Sequence, residues 1–321
     1  MGMVGGHAVS PAAAADSFPS RPITLLVPFS AGGPTDKLAR DLSEAMRQRL
    51  GQTVVVENIG GAGGTIGAGK VANARPDGYT LMLVHVGMAT WPALYPGWER
   101  KTLEAFDYLG LINEVPMTLV GRPTLAPKNI DELTSWLKGN HDKVNLANGG
   151  PGSASDLCGL QLQEKLGIKL TTIPYKGTGP AMIDLMGNQL DLLCTMTIGA
   201  QDQIKGGKIK GFAVTSLKRV PTPELDALPT LDESGLKGFN VTIWHGLYAP
   251  RNTPPEIRGK LNGTLREILA SRDFVSEQER LGALVVSENL QTPAGHREFV
   301  EGEISRWTGV LRGSQSSRAG K

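Results

Sequence analysis

A chain of 321 residues, 40% apolar and 20% charged, has an ordinary globular composition and enough length for two lobes. Its net charge of +2 arises from 33 basic and 31 acidic residues mixed along the sequence, which excludes the gathered basic face of a nucleic-acid binder. No run reaches the ~18 apolar residues that span a bilayer, and two cysteines are too few for a disulfide scaffold.

Residues 1–17 read as a leader or the remnant of a secretory signal. A glycine-rich start is followed by Pro11 and the alanines Ala12 to Ala15 before Asp16, an A-x-A-type cleavage pattern. The apolar run over 23–27 predicts a buried strand, and the spacing of Leu38, Leu42, Ala45, Met46 and Leu50 predicts a helix over 36–50. A second strand is expected at 54–56, a short helix at 66–74, and a third strand at 80–86 after the turn Arg75-Pro76-Asp77-Gly78. The cycle restarts near residue 120. Helices are expected at 130–138, 154–166 and 181–186, with strands at 144–147, 171–173, 190–195 and 212–215. An extended stretch over 241–249 precedes helices at 254–270, 274–281 and 293–311, the last opened by Thr292 and Pro293 as cap and first position. Two βα series imply an α/β protein of two lobes, each a mainly parallel sheet flanked by helices. The chain crosses between them near Leu119-Val120 and again over 241–247. The expected division is 18–121 with 247–313 as the first lobe, 122–246 as the second, and 314–321 as a tail.

Three glycine-rich loops stand between a strand and a helix. In Pro28-Phe29-Ser30-Ala31-Gly32-Gly33-Pro34-Thr35-Asp36 the glycines allow close backbone approach, and the helix start offers amide hydrogens and a positive dipole end to an anion. The plain alternative is a βα turn with Asp36 as a first-turn carboxylate. Asn148-Gly149-Gly150-Pro151-Gly152-Ser153-Ala154-Ser155 repeats the arrangement; Ser153 and Ser155 can cap the helix or donate to a carboxylate. Lys176-Gly177-Thr178-Gly179-Pro180 is the third. Loops of this kind facing each other from two lobes would clamp a molecule with anionic ends, beyond the carboxyl ends of the strands.

Other motifs carry less. In the stretch from Gly60 to Lys70, Val71 replaces the Ser or Thr of a phosphate loop and Ile66 stands where a third dinucleotide-binding glycine belongs, so ATP and NAD are rejected and no cofactor is expected. The five histidines form neither an HExxH nor a cluster with cysteine, so no metal site is expected. His85 at a strand end and His245 beside Trp244 are candidates to line the cleft, against the plain reading of buried structural histidines. Trp91 and Trp244 could pack on a ligand ring or simply fill the core. Cys158 and Cys194 are expected as two buried free thiols, with a single bridge open in an oxidising compartment.

At these residues the sequence resembles the receptors of tripartite tricarboxylate transporters, the Bug receptor family. The resemblance is carried by Val27-Pro28-Phe29 with Gly32-Gly33-Pro34-Thr35-Asp36, by Val54-Val55-Val56-Glu57-Asn58 before Gly61-Ala62-Gly63-Gly64, and by Pro76-Asp77-Gly78-Tyr79. Further on it rests on Pro174-Tyr175-Lys176-Gly177, Ala213-Val214-Thr215-Ser216 and Thr253-Pro254-Pro255-Glu256. It implies a periplasmic two-lobe receptor, not an enzyme, that closes on a small carboxylate for membrane transporter subunits or a sensor protein. It also implies that the loops Phe29, Ser30, Ala31, Gly32, Gly33 and Gly150, Gly152, Ser153, Ala154, Ser155 hold carboxylates, with Asp36, Tyr175 and Lys176 beside them. Where many relatives have Thr or Ser, this chain reads His85-Val86-Gly87; Thr195-Met196-Thr197 replaces a more usual acidic or Asn-containing segment. That sulfur- and aromatic-lined cleft suggests an aromatic dicarboxylate such as terephthalate, with linear di- and tricarboxylates open. The competing readings are an enzyme using His85 or His245 as acid–base, and a sensor built on the same site.

Overall fold

The computed structural model describes residues 18–319; the expected leader, 1–17, and the last two residues of the expected tail lie outside the described residues. The chain runs β1 (Ile23–Val27), α1 (Pro34–Leu50), β2 (Val54–Asn58), α2 (Thr65–Ala72), β3 (Thr80–His85), α3 (Gly87–Leu94), α4 (Lys101–Glu104) and β4 (Phe106–Gly121). It continues through α5 (Ile130–Asn140), β5 (Asn145–Asn148), α6 (Ala154–Leu166), β6 (Thr171–Pro174), α7 (Thr178–Met186), β7 (Leu192–Met196), α8 (Thr197–Lys205) and β8 (Lys210–Val214). The last elements are β9 (Thr242–Pro250), α9 (Pro255–Ala270), α10 (Arg272–Arg280), β10 (Leu284–Val285) and α11 (Pro293–Ala319), which extends into the segment expected as a tail. Local chemistry sets several ends. Pro34 opens α1 and Gly51 closes it in the left-handed region; Asn129 and Ser153 cap α5 and α6 through Glu132 and Asp156 amides. Thr292 Oγ1 accepts the Gly295 amide at the start of α11, as its spacing predicted.

The expected parallel strands form two cores, β2-β1-β3 in one sheet and β6-β5-β7 in the other. Antiparallel pairing is added by β9 against β3 and β4, and by β4 against β7 and β8, so both sheets are mixed. One strand belongs to both. β4 pairs with β9 up to Pro116, and from Met117 onward it lies between β7 and β8. The periodicity reading missed most of this strand because it is buried on both faces and so does not alternate. It also missed α3, whose Gly87 and Pro92 are poor helix formers and whose buried first half carries no amphipathic period.

At the junction, buried Thr215 ties the two crossings together. Its hydroxyl donates to Val241 O at 2.6 Å and accepts the Met117 amide at 2.8 Å. Both crossing backbones are thereby fixed where they lack a continuous ladder.

The two cysteines are joined, correcting the free-thiol expectation. α6 packs directly on β7, bringing the Cys158 and Cys194 Cα atoms to 6.3 Å, within bridging range. The bridge closes a loop across 36 positions. Replacing both cysteines by serine is expected to lower the unfolding free energy by about 2–4 kcal/mol; urea titration of the two proteins measures it, and equal midpoints would remove the bridge from the stability of this lobe.

Candidate functional site

The carboxyl ends of β1, β3, β5, β6 and β7 point toward one another across the gap between the sheets. The helices that follow therefore begin there. A cavity of about 20 Å³ is lined by Gly33 to Asp36 at the start of α1, Ser153 to Ser155 at α6, Gly177 and Thr178 at α7, and Thr195 and Met196 before α8. Phe29, Ser30, His85, Met117 and Gly149 complete it. First-turn amides have no partner within their own helix. Starts on opposite lobes thus present donors and positive dipole ends to one small volume.

Among the described residues no lysine or arginine lines this cavity. Asp36 is the one carboxylate among them that does, and its charge is already matched. Burial pushes its pKa up, but the Arg40 guanidinium at 3.0 and 3.1 Å and the Gly32 amide at 3.0 Å together hold it below the usual range.

His85 is buried and stacks on Phe29, with ring centroids 4.3 Å apart. Burial pushes its pKa down to about 3. Its Nδ1 accepts the Gly87 amide at 2.9 Å, which puts the ring proton on Nε2. The site therefore contains a neutral imidazole donor. Behind Thr35 lies His245, fully buried, with Nε2 at 3.2 Å from Thr35 Oγ1 and Nδ1 at 2.8 Å from Asn113 Oδ1. Burial, reinforced by the neighbouring His85, keeps it neutral as well.

The lobes touch on both sides of the cavity. The Ser30 amide and hydroxyl both donate to Lys176 O, each at 3.0 Å. Thr90 Oγ1 donates to Gly152 O at 3.0 Å, and Tyr95 Oη to Pro151 O at 2.8 Å. Gly179 packs so tightly on the first loop that a Cβ there would collide with Ala31 O and stand 3.0 Å from the Gly33 amide. The lobes are shut, and the cavity holds little more than a water.

Of the residues expected from the sequence, Phe29, Ser30, Gly33, Asp36, His85, Ser153, Ala154, Ser155, Thr195 and Met196 meet at this cavity. Ala31 and Gly32 belong to the same loop but turn to α7 and to Asp36. Val86 and Gly87 are buried at the start of α3, where Gly87 fixes the His85 ring. Gly150, Tyr175 and Lys176 sit instead along an open groove at the rim, with Ser30, Gly61 and Ile66. Gly152 abuts Thr90, and Thr197 is buried with its Cβ toward Gly282. Trp244 is in the core, its indole donating to Glu303, and His245 is one layer behind the wall. Trp91 is also core, bonded to Gly63 O. Sequence reasoning left out Pro34, Thr35, Gly149, Gly177, Thr178 and Met117. All but Met117 lie in the three glycine loops it had singled out; Met117 is brought in by β4 and carries no local signal.

Among the described residues no group of three His, Cys, Asp or Glu side chains could hold a metal, and no helix is long and apolar enough to cross a membrane.

Residues 38–314 match the family described as the tripartite tricarboxylate transporter family receptor. The chain is 45% identical over 310 residues to the UPF0065 protein in the TAR-I ttuE-ttuC' intergenic region of Agrobacterium vitis, covering 97% of this chain and 88% of that one. It is 49% identical to the periplasmic binding protein BugD, at a TM-score of 0.89 over 93% of this chain and 99% of that one. It is 38% identical to MatC from Rhodopseudomonas palustris with bound malate, at a TM-score of 0.85 over 92% and 100%.

Two outcomes follow from this geometry. Gly179→Ala is expected to leave each lobe folded while blocking their approach, so apo melting stays near wild type and ligand affinity falls at least about 10-fold; wild-type affinity in calorimetry would show that shut lobes are not needed for binding. The second concerns pH. His85 and His296 are pushed by burial to about 3, and His245 well below its ordinary value, whereas each titrates near 6.5 when unfolded. Folded pKa values below unfolded ones mean stability that is full above about 6.5 and is lost as pH falls toward 3. Urea unfolding at pH 7.5, 6.5 and 5.5 should show a decline of up to about 1.4 kcal/mol per pH unit for each ring; a flat profile would mean that these rings take up protons in the folded state.

Proposed function

Since the chain belongs to the tripartite tricarboxylate transporter receptor family, we propose that it is a periplasmic receptor that closes its lobes on a small dicarboxylate for uptake through the transporter's membrane subunits. The observation that carries this reading is the convergence of helix starts from both lobes on one cavity with no lysine or arginine among the described residues of its wall. An anion there is held by amides, hydroxyls and one imidazole N–H. Such donors gain strength when the closing lobes exclude water, so binding and closure are one event.

The residues assigned to the ligand are Phe29, Ser30, Gly33, Thr35, Asp36, His85, Ser153, Ala154, Ser155, Thr178, Thr195 and Met196. Tyr175 and Lys176, on the rim groove, are assigned to the closing edge. Lobe motion is taken up where β4 and the 215–241 crossing pass between sheets. The Cys158–Cys194 bridge suits an oxidising compartment.

A short aliphatic diacid is the favoured ligand, supported by the small cavity and by the malate bound to MatC, a 38% identical relative. The aromatic alternative, terephthalate, rested on a sulfur- and aromatic-lined cleft; Phe29 and Met196 line the cavity, but both Trp91 and Trp244 lie in the core. Phe29 is already stacked against His85. Catalysis is disfavoured by burial, which pushes the pKa of His85 and His245 down and leaves His245 a weak base toward the Thr35 hydroxyl 3.2 Å away.

A thermal-shift screen of mono-, di- and tricarboxylates, aliphatic and aromatic, tests the reading. Only ligands of the folded form raise the melting temperature. Short aliphatic diacids are expected to do so, and a response confined to aromatic acids, or to none, would overturn it. Ser155→Ala should weaken the best diacid by about 1–2 kcal/mol in calorimetry. Ser155 Oγ accepts the Gly149 amide at 2.7 Å and contacts Ser153 Oγ at 3.1 Å, so its loss removes one donor and loosens the loop.

A further inference from the structure

The inner wall of the cavity ends a hydrogen-bond chain that runs from Gln278 through Asn113 and His245 to Thr35. Asn113 Nδ2 donates to Gln278 Oε1 at 2.7 Å, which leaves Asn113 Oδ1 facing His245 Nδ1 at 2.8 Å as an acceptor. His245 therefore carries its proton on Nδ1. Its Nε2 is left with a lone pair, and the neighbour at 3.2 Å, Thr35 Oγ1, must donate to it. Asn113 and His245 are fully buried and Thr35 nearly so. Thr35 has one hydroxyl proton, and it is directed inward. Toward the cavity Thr35 offers only lone pairs.

On the opposite lobe Thr195 has the complementary character. Its hydroxyl is buried, lines the same cavity, and has no hydrogen-bond partner. Thr35 and Thr195 line the one small cavity, and at Gly199 a Cβ would stand 2.7 Å from Cγ of Pro34, the chain neighbour of Thr35, and 3.4 Å from Thr195 Oγ1. A lone pair facing the ligand is wrong for a carboxylate oxygen, which has no proton to give. An acceptor with a donor beside it suits an alcohol, which gives one hydrogen bond and takes another. Thr35 is also the second residue of α1, so this pair adjoins the amides that would seat a carboxylate.

We infer that the receptor selects a dicarboxylate bearing a hydroxyl on the carbon next to the carboxylate seated at the start of α1. Thr35 accepts that hydroxyl's proton, and Thr195 donates to its oxygen. The inference rests on the reading of the site as a diacid receptor and adds the substituent that it distinguishes.

Calorimetry with L-malate, D-malate and succinate tests it, since the three differ only at that hydroxyl. One malate enantiomer is expected to bind at least about 10-fold more tightly than succinate, because the deoxy compound leaves two buried polar groups unmet. Thr35→Val should bring that ratio close to one, because malate loses the acceptor of its hydroxyl and succinate has no hydroxyl to lose it for. Thr195→Val should do the same, and it serves if the first variant does not fold. Asn113→Asp still accepts from His245 Nδ1 and should preserve the ratio, separating the direction of the chain from mere packing. Succinate binding as tightly as both malates, a ratio unchanged in the folded valine variants, or a ratio lost in Asn113→Asp would each overturn the inference while leaving the diacid receptor intact. Binding of none of the three diacids would remove the receptor reading itself.

Discussion

The convergence of several helix starts on one cavity, with no lysine or arginine among its described lining residues, is the constraint around which this molecule is arranged. Each helix start contributes the equivalent of roughly half a positive charge, and only within about one turn of its end. In water such a partial charge is weak; in a small volume from which water is excluded it competes with a salt bridge. The donors are therefore effective only when several starts are brought within a few ångström of one another and sealed. Two consequences follow in the covalent chain. The linking loops must be short and nearly free of side chains, which is why Gly33, Gly177 and Gly179 stand where the lobes meet. The charged groups nearby must already be satisfied, which is why Asp36 is matched by Arg40 and the histidines are kept neutral.

Sealing the site also dictates how the lobes are joined. If the two sheets were separate bodies on flexible linkers, closing would cost the orientational freedom of one relative to the other. Here β4 is a member of both sheets, and Thr215 fastens the return crossing to it through Met117 and Val241. The sheets that carry the starts of α1 and α6 are thus joined through one shared strand and a fastened return crossing. Within the second lobe the Cys158–Cys194 bridge plays a local version of the same part. It joins α6, which supplies Ser153 and Ser155, to β7, which supplies Thr195 and Met196.

Much of this was legible in the amino acids, and unevenly so. The βα alternation gave the order and near-boundaries of α1, β1 and α6, because amphipathic period and glycine or proline punctuation are local properties. The glycine loops were legible for the same reason, and the structure brings all three to one cavity. What failed was non-local. β4 hides its length by being apolar on both faces, so Met117 could not be connected to the site. Trp244 and His245 sit side by side in β9, yet one enters the core against Glu303 and the other stands behind Thr35, a difference set by which face of the strand each occupies. The cysteine pairing depended on α6 lying against β7, which no spacing reveals.

The same distinction explains why the class of protein is plainer in the sequence than its ligand. Anion-holding parts are backbone amides at helix starts, and the motifs that build such starts are written as glycine, proline and serine in a row. Discrimination among anions rests instead on which way a hydroxyl proton points. At Thr35 that direction is settled by His245, whose tautomer is settled by Asn113, whose amide is settled by Gln278. These four residues come from α1, β9, β4 and α10. A change behind the wall that turned a donor instead of Asn113 Oδ1 toward His245 Nδ1 would reverse the polarity offered to the ligand without altering any residue that lines the cavity. Selectivity in a receptor of this design is therefore open to revision from behind the wall, while the loops that define the fold and hold the charge remain as they are.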